Sequence, residues 1–284
     1  MDLETEIKNN VSQSLAEDVG TGDLTTLLVP CEVSATASVI CREKAVLCGI
    51  QWFEACFQQF SPNTEIHWFV REGEMIYEGQ GLCKIKGNAR TLLTAERTAL
   101  NFLQTLSAVA TQTRYYVDAV LGTGAVIVDT RKTLPGVRLA QKYAVKCGGG
   151  INHRLGLYDG ILIKENHIVA AGGIEQALCA AEEIAPKGTL VQIEVETRDE
   201  LLKALNVGAK MILLDNFDLD ELRYAVKLTS QLTNKQTVLE ASGGATLDNV
   251  REIAETGVDR ISIGSITKDL QAVDLSMNFS AQYK

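Results

Sequence analysis

Proline occurs only 4 times in 284 residues, histidine only 3 times, and no two cysteines stand at C-x-x-C spacing. So little proline excludes collagen-like and proline-rich disordered chains, and 46% hydrophobic with 22% charged residues is an ordinary globular composition. The cysteines, at positions 31, 41, 48, 56, 83, 147 and 179, are odd in number and scattered. Neither a disulfide framework nor a zinc site is expected from that spacing, and buried reduced thiols suit a reducing cytoplasm. No run approaches the ~20 apolar residues of a membrane span. The opening MDLETEIKNN is acidic and polar where a secretory signal is basic and then apolar, so the expectation is a soluble, cytoplasmic protein. Positive charge is also short: 27 Lys and Arg face 36 Asp and Glu, a net charge of -9. That balance argues against nucleic acid or an anionic membrane as partner.

The length predicts about two domains, and the rhythm of the chain changes near residue 108. Residues 35–42 and 65–70 read as strands with a helix over 51–60 between them, and the glycine-punctuated 72–87 reads as turn-rich β structure. This is an α+β module, 1–108, whose glycine spacing is weakly similar to a lipoyl-carrier hammerhead but lacks the lysine-bearing turn. Residues 89–121 follow a helical period and join the two parts. Over 109–284, six short apolar runs alternate with helical stretches: AVIVDT (125–130), ILIK (161–164), VQIEVE (191–196), MILLD (211–215), TVLEASGG (237–244) and ISIGS (261–265). Such βα repetition predicts a parallel sheet, read as an open, incomplete α/β barrel, with a doubly wound sheet as the alternative. Either architecture gathers ligand chemistry at the carboxyl ends of the strands.

Those ends carry Asp129, Thr130, Arg131 and Lys132, then Lys164, Glu194 with Glu196, Asp215, Glu240 with Ser242, Gly243 and Gly244, and finally Gly264 with Ser265. Any one charge there can be a solvated strand end; six strands ending alike point to a site. Period-two alternation puts Glu194 and Glu196 on one face. Residues 131–164 hold seven cations against Asp159, a local charge of +6 that leaves -15 on the remainder. Concentrating cations against the global charge costs self-repulsion unless an anion completes the site. Arg138, Lys142 and Lys146 share one helical face and read as solvated. Arg131, Arg154 and Lys164 sit at strand ends or beside the glycine-rich CGGGINHR, where an arginine fork grips planar carboxylates or phosphates. His153 adds a donor that can lose its proton near neutral pH. The two late Gly-rich turns before helical segments suit a phosphate cradle. Together these features fit a phosphorylated sugar with an anionic leaving group, Glu194 and Asp215 holding Mg²⁺ or offsetting positive charge on the sugar carbon.

The segment DTRKTLPGVRLAQKYAVKCGGGINHRLGLYDGILIKENH (129–167) closely resembles the quinolinate phosphoribosyltransferase family. The likeness continues in order through EDVGTGDLTT (17–26), AERTALNFLQTLSAVAT (95–111), IEVET (193–197), LLDN (213–216), LEASGG (239–244) and ETGVDRISIGS (255–265). The resemblance implies a nicotinate-nucleotide diphosphorylase (carboxylating) of the pentosyltransferase class. Its reaction converts quinolinate and phosphoribosyl pyrophosphate, with Mg²⁺, to nicotinate mononucleotide, pyrophosphate and CO₂ in NAD biosynthesis. It also implies a homodimer in which an N-terminal sandwich-like α+β domain accompanies a seven-stranded open barrel, with sites built across subunits. Carried over by motif, Arg131, His153, Arg154 and Lys164 surround quinolinate, joined by Arg97 from the partner chain. Thr130, Lys132, Glu194, Asp215, Ser242, Gly243, Gly244, Ile263, Gly264 and Ser265 surround phosphoribosyl pyrophosphate. Lys132, Lys164, Glu194 and Asp215 are the expected catalytic residues, and Glu194 and Asp215 approach Mg²⁺ directly or through substrate and water. The residues alone leave two rivals: a Schiff-base aldolase using Lys164, and a non-catalytic dicarboxylate or nucleotide sensor.

Overall fold

A computed structural model describes residues 2–233 and 236–282. Its strands are β1 (Ser34–Cys41), β2 (Ala45–Val46), β3 (Glu65–Trp68), β4 (Met75–Ile76), β5 (Gly81–Asn88), β6 (Val126–Val128), β7 (Gly160–Ile163), β8 (Leu190–Val195), β9 (Met211–Asp215), β10 (Val238–Ser242), β11 (Arg260–Ser262) and β12 (Leu275–Gln282). The helices are α1 (Leu3–Val19), α2 (Ile50–Gln58), α3 (Ala89–Ala119), α4 (Arg138–Cys147), α5 (Glu165–Ala171), α6 (Ile174–Ile184), α7 (Arg198–Val207), α8 (Leu219–Thr233), α9 (Val250–Glu255) and α10 (Ser265–Lys268). Two compact units interleave along the chain. The first comprises Met1–Arg114, Thr133–Gly149 and Thr267–Lys284; the second comprises Tyr115–Lys132 and Gly150–Ile266.

The first unit holds an antiparallel sheet in the order β12-β1-β5-β3. Along β1 burial alternates, with Ala35, Ala37, Val39 and Cys41 inside, as period-two patterning requires of a half-covered sheet. Helix α2 contributes the fully buried Trp52, Phe53 and Phe57, and the Phe53 ring meets Trp68 edge-on at 5.3 Å. Burying each such ring is worth roughly 1.5–3 kcal/mol. The C-terminal strand β12 joins this sheet beside β1, an element absent from the sequence reading. Residues 89–119 form one helix of 31 residues rather than several.

The second unit is a six-stranded parallel sheet in the order β6-β11-β10-β9-β8-β7. Its end strands β6 and β7 are not neighbours, so the barrel is open. The expected seventh strand is reduced to one residue, a parallel bridge from Ile151 to Val128. Strand β9 is apolar on both faces because helices cover parallel sheets; Met211 through Leu214 are all buried. Strand β8 ends because the chain turns into a capped helix. The Thr197 side chain accepts the Glu200 N–H, and the Glu200 carboxylate accepts the N–H groups of Glu196 and Thr197.

Two local expectations are corrected. Strand β8 stops at Val195, so alternation does not carry Glu196 inward, and that residue is exposed. Lys142, read as part of a solvated face, is 1% exposed.

Candidate active site

The sheet of the second unit delivers its polar residues to one place. Strand β6 runs into the buried Asp129, whose Oδ1 accepts the His153 N–H at 2.8 Å and so fixes the segment after the Ile151 bridge. Asp159 accepts the N–H groups of Leu155 and Gly156 at 2.8 and 2.9 Å, tightening the turn that presents Arg154. Arg154 Nη1 donates to the Gly160 carbonyl at 3.0 Å. Lys164, at the end of β7, is anchored by its N–H donating to His167 Nδ1 at 2.9 Å.

The strand ends enclose a cavity of about 270 Å³ lined by Thr130, Arg131, Lys132, His153, Arg154, Leu162, Lys164, Glu194, Leu213, Asp215, Glu240, Ser242 and Ser262. Ten residues anticipated from sequence are therefore together: Thr130, Arg131, Lys132, His153, Arg154, Lys164, Glu194, Asp215, Glu240 and Ser242. Gly243, Gly244, Ile263, Gly264 and Ser265 are not on the lining but directly follow Ser242 and Ser262, which are. Arg97 is an exposed residue of α3 in the first unit. A larger cavity of about 360 Å³ in the first unit is lined by Glu17, Asp18 and nine uncharged residues. Without a cation it has nothing to hold a polyanion.

Charge inside the smaller cavity is arranged in pairs. Lys164 Nζ donates to both oxygens of Glu194, at 2.6 and 2.9 Å, with Glu194 only 8% exposed. Glu240, wholly buried, forms an ion pair with Arg260 Nε at 3.1 Å. Arg131 and Arg154 are close enough that burial first, and then the Arg131 charge, lower the pKa of Arg154 from its ordinary value. Arg131 Nε is buried and has no hydrogen-bond partner. Two neighbouring guanidinium groups with an unmet buried donor form a receptor for a planar anion.

His153 is held at both ring nitrogens. Nδ1 accepts the Arg154 N–H at 2.7 Å, which leaves the ring proton on Nε2, facing Gln192 Oε1 at 2.7 Å. Gln192 is fully buried and was missed in the sequence, although it lies on the Glu194 face of β8 two residues earlier. Asn216 was missed as well. It is the one non-glycine residue with positive φ among the described residues, at 56°, and its Nδ2 donates to Asp215 Oδ2 at 3.0 Å. A Cβ on Gly243 would run into the Asn216 side chain, which explains the glycine there. The Gly243–Gly244 turn does not lead straight into a helix, since α9 begins at Val250.

The chain matches the family description "Quinolinate phosphoribosyl transferase, N-terminal domain" over residues 23–107 and "Quinolinate phosphoribosyl transferase, C-terminal domain" over residues 109–278. It is 38% identical over 273 residues to a probable nicotinate-nucleotide pyrophosphorylase [carboxylating] of Bacillus subtilis, covering 96% of this chain and 93% of the relative. Among solved structures it is similar to the nicotinate-nucleotide pyrophosphorylase from Francisella tularensis, at 41% identity and a TM-score of 0.94, covering 99% of this chain and 98% of the other. NadC from Streptococcus pyogenes gives 33% identity and a TM-score of 0.93, with all of both chains covered. Both family domains are matched over most of the chain and the relatives are covered nearly end to end, so the chain belongs to the quinolinate phosphoribosyltransferase family.

Proposed function

We propose that this chain transfers the phosphoribosyl group of phosphoribosyl pyrophosphate to the ring nitrogen of quinolinate, giving nicotinate mononucleotide, pyrophosphate and CO₂ for NAD biosynthesis in the cytoplasm. The observation that carries this reading is the Arg131–Arg154 pair, with its unmet buried Nε, in the same cavity as Glu194 and Asp215. Quinolinate is a planar dicarboxylate, so the two arginine forks bind it and aim its nitrogen at the sugar carbon. As pyrophosphate departs, positive charge grows on the ribose, and the carboxylates of Glu194 and Asp215 offset it. Lys164, already bound to Glu194, stands between the two ligands and keeps that carboxylate oriented. Lys132 lies beside Gly264, where a Cβ would come within 3.1 Å of Lys132 Cδ, and meets the leaving group. His153, with both nitrogens engaged, acts by fixing the Arg154 backbone. Alkylation makes the ring nitrogen cationic, so the adjacent carboxylate leaves as CO₂ without a further cofactor: the electron pair of the broken bond stays on the ring carbon beside the cationic nitrogen, and that carbon takes up a proton.

Asp215 and Glu194 suit Mg²⁺ as one or two carboxylates supplementing substrate oxygens and water. Asp215 is the less engaged, because both Glu194 oxygens already accept from Lys164. Held by Asp215 and Glu194, Mg²⁺ would supply positive charge to offset that of the departing pyrophosphate. The Schiff-base and sensor readings fall to a family of phosphoribosyltransferases. We also propose a homodimer in which the partner supplies Arg97. The exposed Leu157 and Tyr158, 74% and 77% accessible, favour burial against a second copy.

Arg154→Lys tests the assignment, because a point-like ammonium keeps the charge but not the bidentate grip. Quinolinate affinity falls, by roughly 2–5 kcal/mol, while phosphoribosyl pyrophosphate affinity stays near parental in separate calorimetric titrations. Equal losses for both ligands would assign Arg154 to structure.

A further inference from the structure

The Sγ atoms of Cys48 and Cys147 and a carboxylate oxygen of Glu72 lie within 4.8 Å of one another, inside the first unit. Three separate places in the chain supply them. Cys48 closes the link from β2 to α2, Glu72 sits in the turn between β3 and β4, and Cys147 is the last residue of α4. Cys48 is fully buried, and the other two are half-buried. Two of these groups are fixed by their surroundings. The Cys48 N–H donates to Ser107 Oγ at 2.9 Å, and the Ser107 hydroxyl donates to the Cys48 carbonyl at 3.2 Å. The Glu72 carboxylate accepts the N–H groups of Gly49 and Ile50 at 2.8 and 3.1 Å, at the positive end of α2.

We propose that Cys48, Glu72 and Cys147 form a binding site for one Zn²⁺-class ion. A tetrahedral ion with Zn²⁺ bond lengths holds a sulfur and an oxygen ligand about 3.5 Å apart. The Cys147 Sγ to Glu72 Oε1 distance is 3.9 Å, a few tenths of an ångström beyond that value, and the Cys48 sulfur lies within 4.8 Å of the other two ligand atoms. Thiolate ligands exclude Mg²⁺, and the carboxylate oxygen favours Zn²⁺ over Cu⁺. Three protein ligands leave a fourth position for water. Binding releases one proton from each thiol and involves no oxidant or reductant. Two thiolates and a carboxylate leave one excess negative charge, offset by the Gly49 and Ile50 N–H groups and the start of α2.

The test uses the full chain with the exposed Cys31 and Cys179 changed to serine, reduced and stripped of metal. Titration with Cd²⁺ is expected to raise an ultraviolet thiolate-to-metal charge-transfer band that saturates at one ion per chain, and Zn²⁺ is expected to displace the Cd²⁺ and raise Tm. Cys147→Ser removes both effects. Glu72→Gln keeps the band but weakens Cd²⁺ binding by at least about tenfold, the lower end of what even an outer-sphere loss costs. The proposal is overturned if the parent shows no band, if binding is substoichiometric, or if Cys147→Ser keeps the band. Should Cys147→Ser not fold, Glu72→Gln decides, and unchanged Cd²⁺ affinity there overturns the site.

Discussion

A neutral imidazole carries one proton, and at His153 the backbone settles which nitrogen has it. The Arg154 N–H can only donate, so Nδ1 accepts and Nε2–H points at Gln192 Oε1. With only three histidines in the chain, ¹⁵N spectra of the labelled protein resolve this directly once His153→Gln identifies the signal. At neutral pH His153 is expected as the Nε2–H tautomer, and Gln192→Leu is expected to leave that tautomer in place, because the Arg154 N–H still donates to Nδ1. An Nδ1–H tautomer in the parent would mean that His153 is free to turn a nitrogen to substrate. The residues that carry charge were legible, because cations and carboxylates ending apolar runs stand out in a sequence. Gln192 and Asn216 were not, since an amide inside a strand and a positive φ in a turn leave no charge pattern. The zinc-class cluster was hidden for a similar reason: spacing rules see pairs close in sequence, and Cys48, Glu72 and Cys147 meet only in the fold.

Elements place these side chains through close packing as much as through ligand-facing turns. In CGGGINHR a reading by composition gives the glycines to the ligand, but Gly148 serves packing. A Cβ there would sit 2.5 Å from the Ala110 carbonyl and 2.6 Å from Thr113 Cβ on α3. Gly148→Ala therefore overpacks the end of α4 against α3 and is expected to cost about 1–3 kcal/mol, read as a lower urea midpoint. A midpoint equal to the parent would show that the backbone absorbs the methyl without strain. Sequence periodicity found nearly every strand of the parallel sheet within a residue or two, because apolar residues cluster in each and polar residues follow. It did not find β12, whose residues Leu275–Gln282 mix polar and apolar types and gain their strand identity only by pairing with β1.

At the scale of the molecule, two compact units share an interleaved chain, and segments Thr133–Gly149 and Thr267–Lys284 belong with the N-terminal one. A linear reading cannot show such an exchange, because composition changes only once, near residue 108. The proposed homodimer follows from Arg97, an exposed cation on α3 in AERTALNFLQ. If the partner supplies it, Arg97→Ala and Arg154→Ala are each nearly inactive alone. Mixed and reassembled, they form about half heterodimers with one intact site each, and about a quarter of parental activity returns. No recovery on mixing would place Arg97 within its own chain's site, and full activity of Arg97→Ala alone would make it a plain surface cation.

In the proposed function, the strand-end cavity joins a dicarboxylate to a phosphoribosyl group and expels CO₂. That function is tested by combining the purified chain with quinolinate labelled in the carboxylate next to the ring nitrogen, phosphoribosyl pyrophosphate and Mg²⁺. Labelled CO₂ and pyrophosphate are expected in equal amounts, both dependent on phosphoribosyl pyrophosphate and both lost in the Arg131→Ala variant. Quinolinate binding with no CO₂ and no pyrophosphate, or equal turnover in Arg131→Ala, would contradict it.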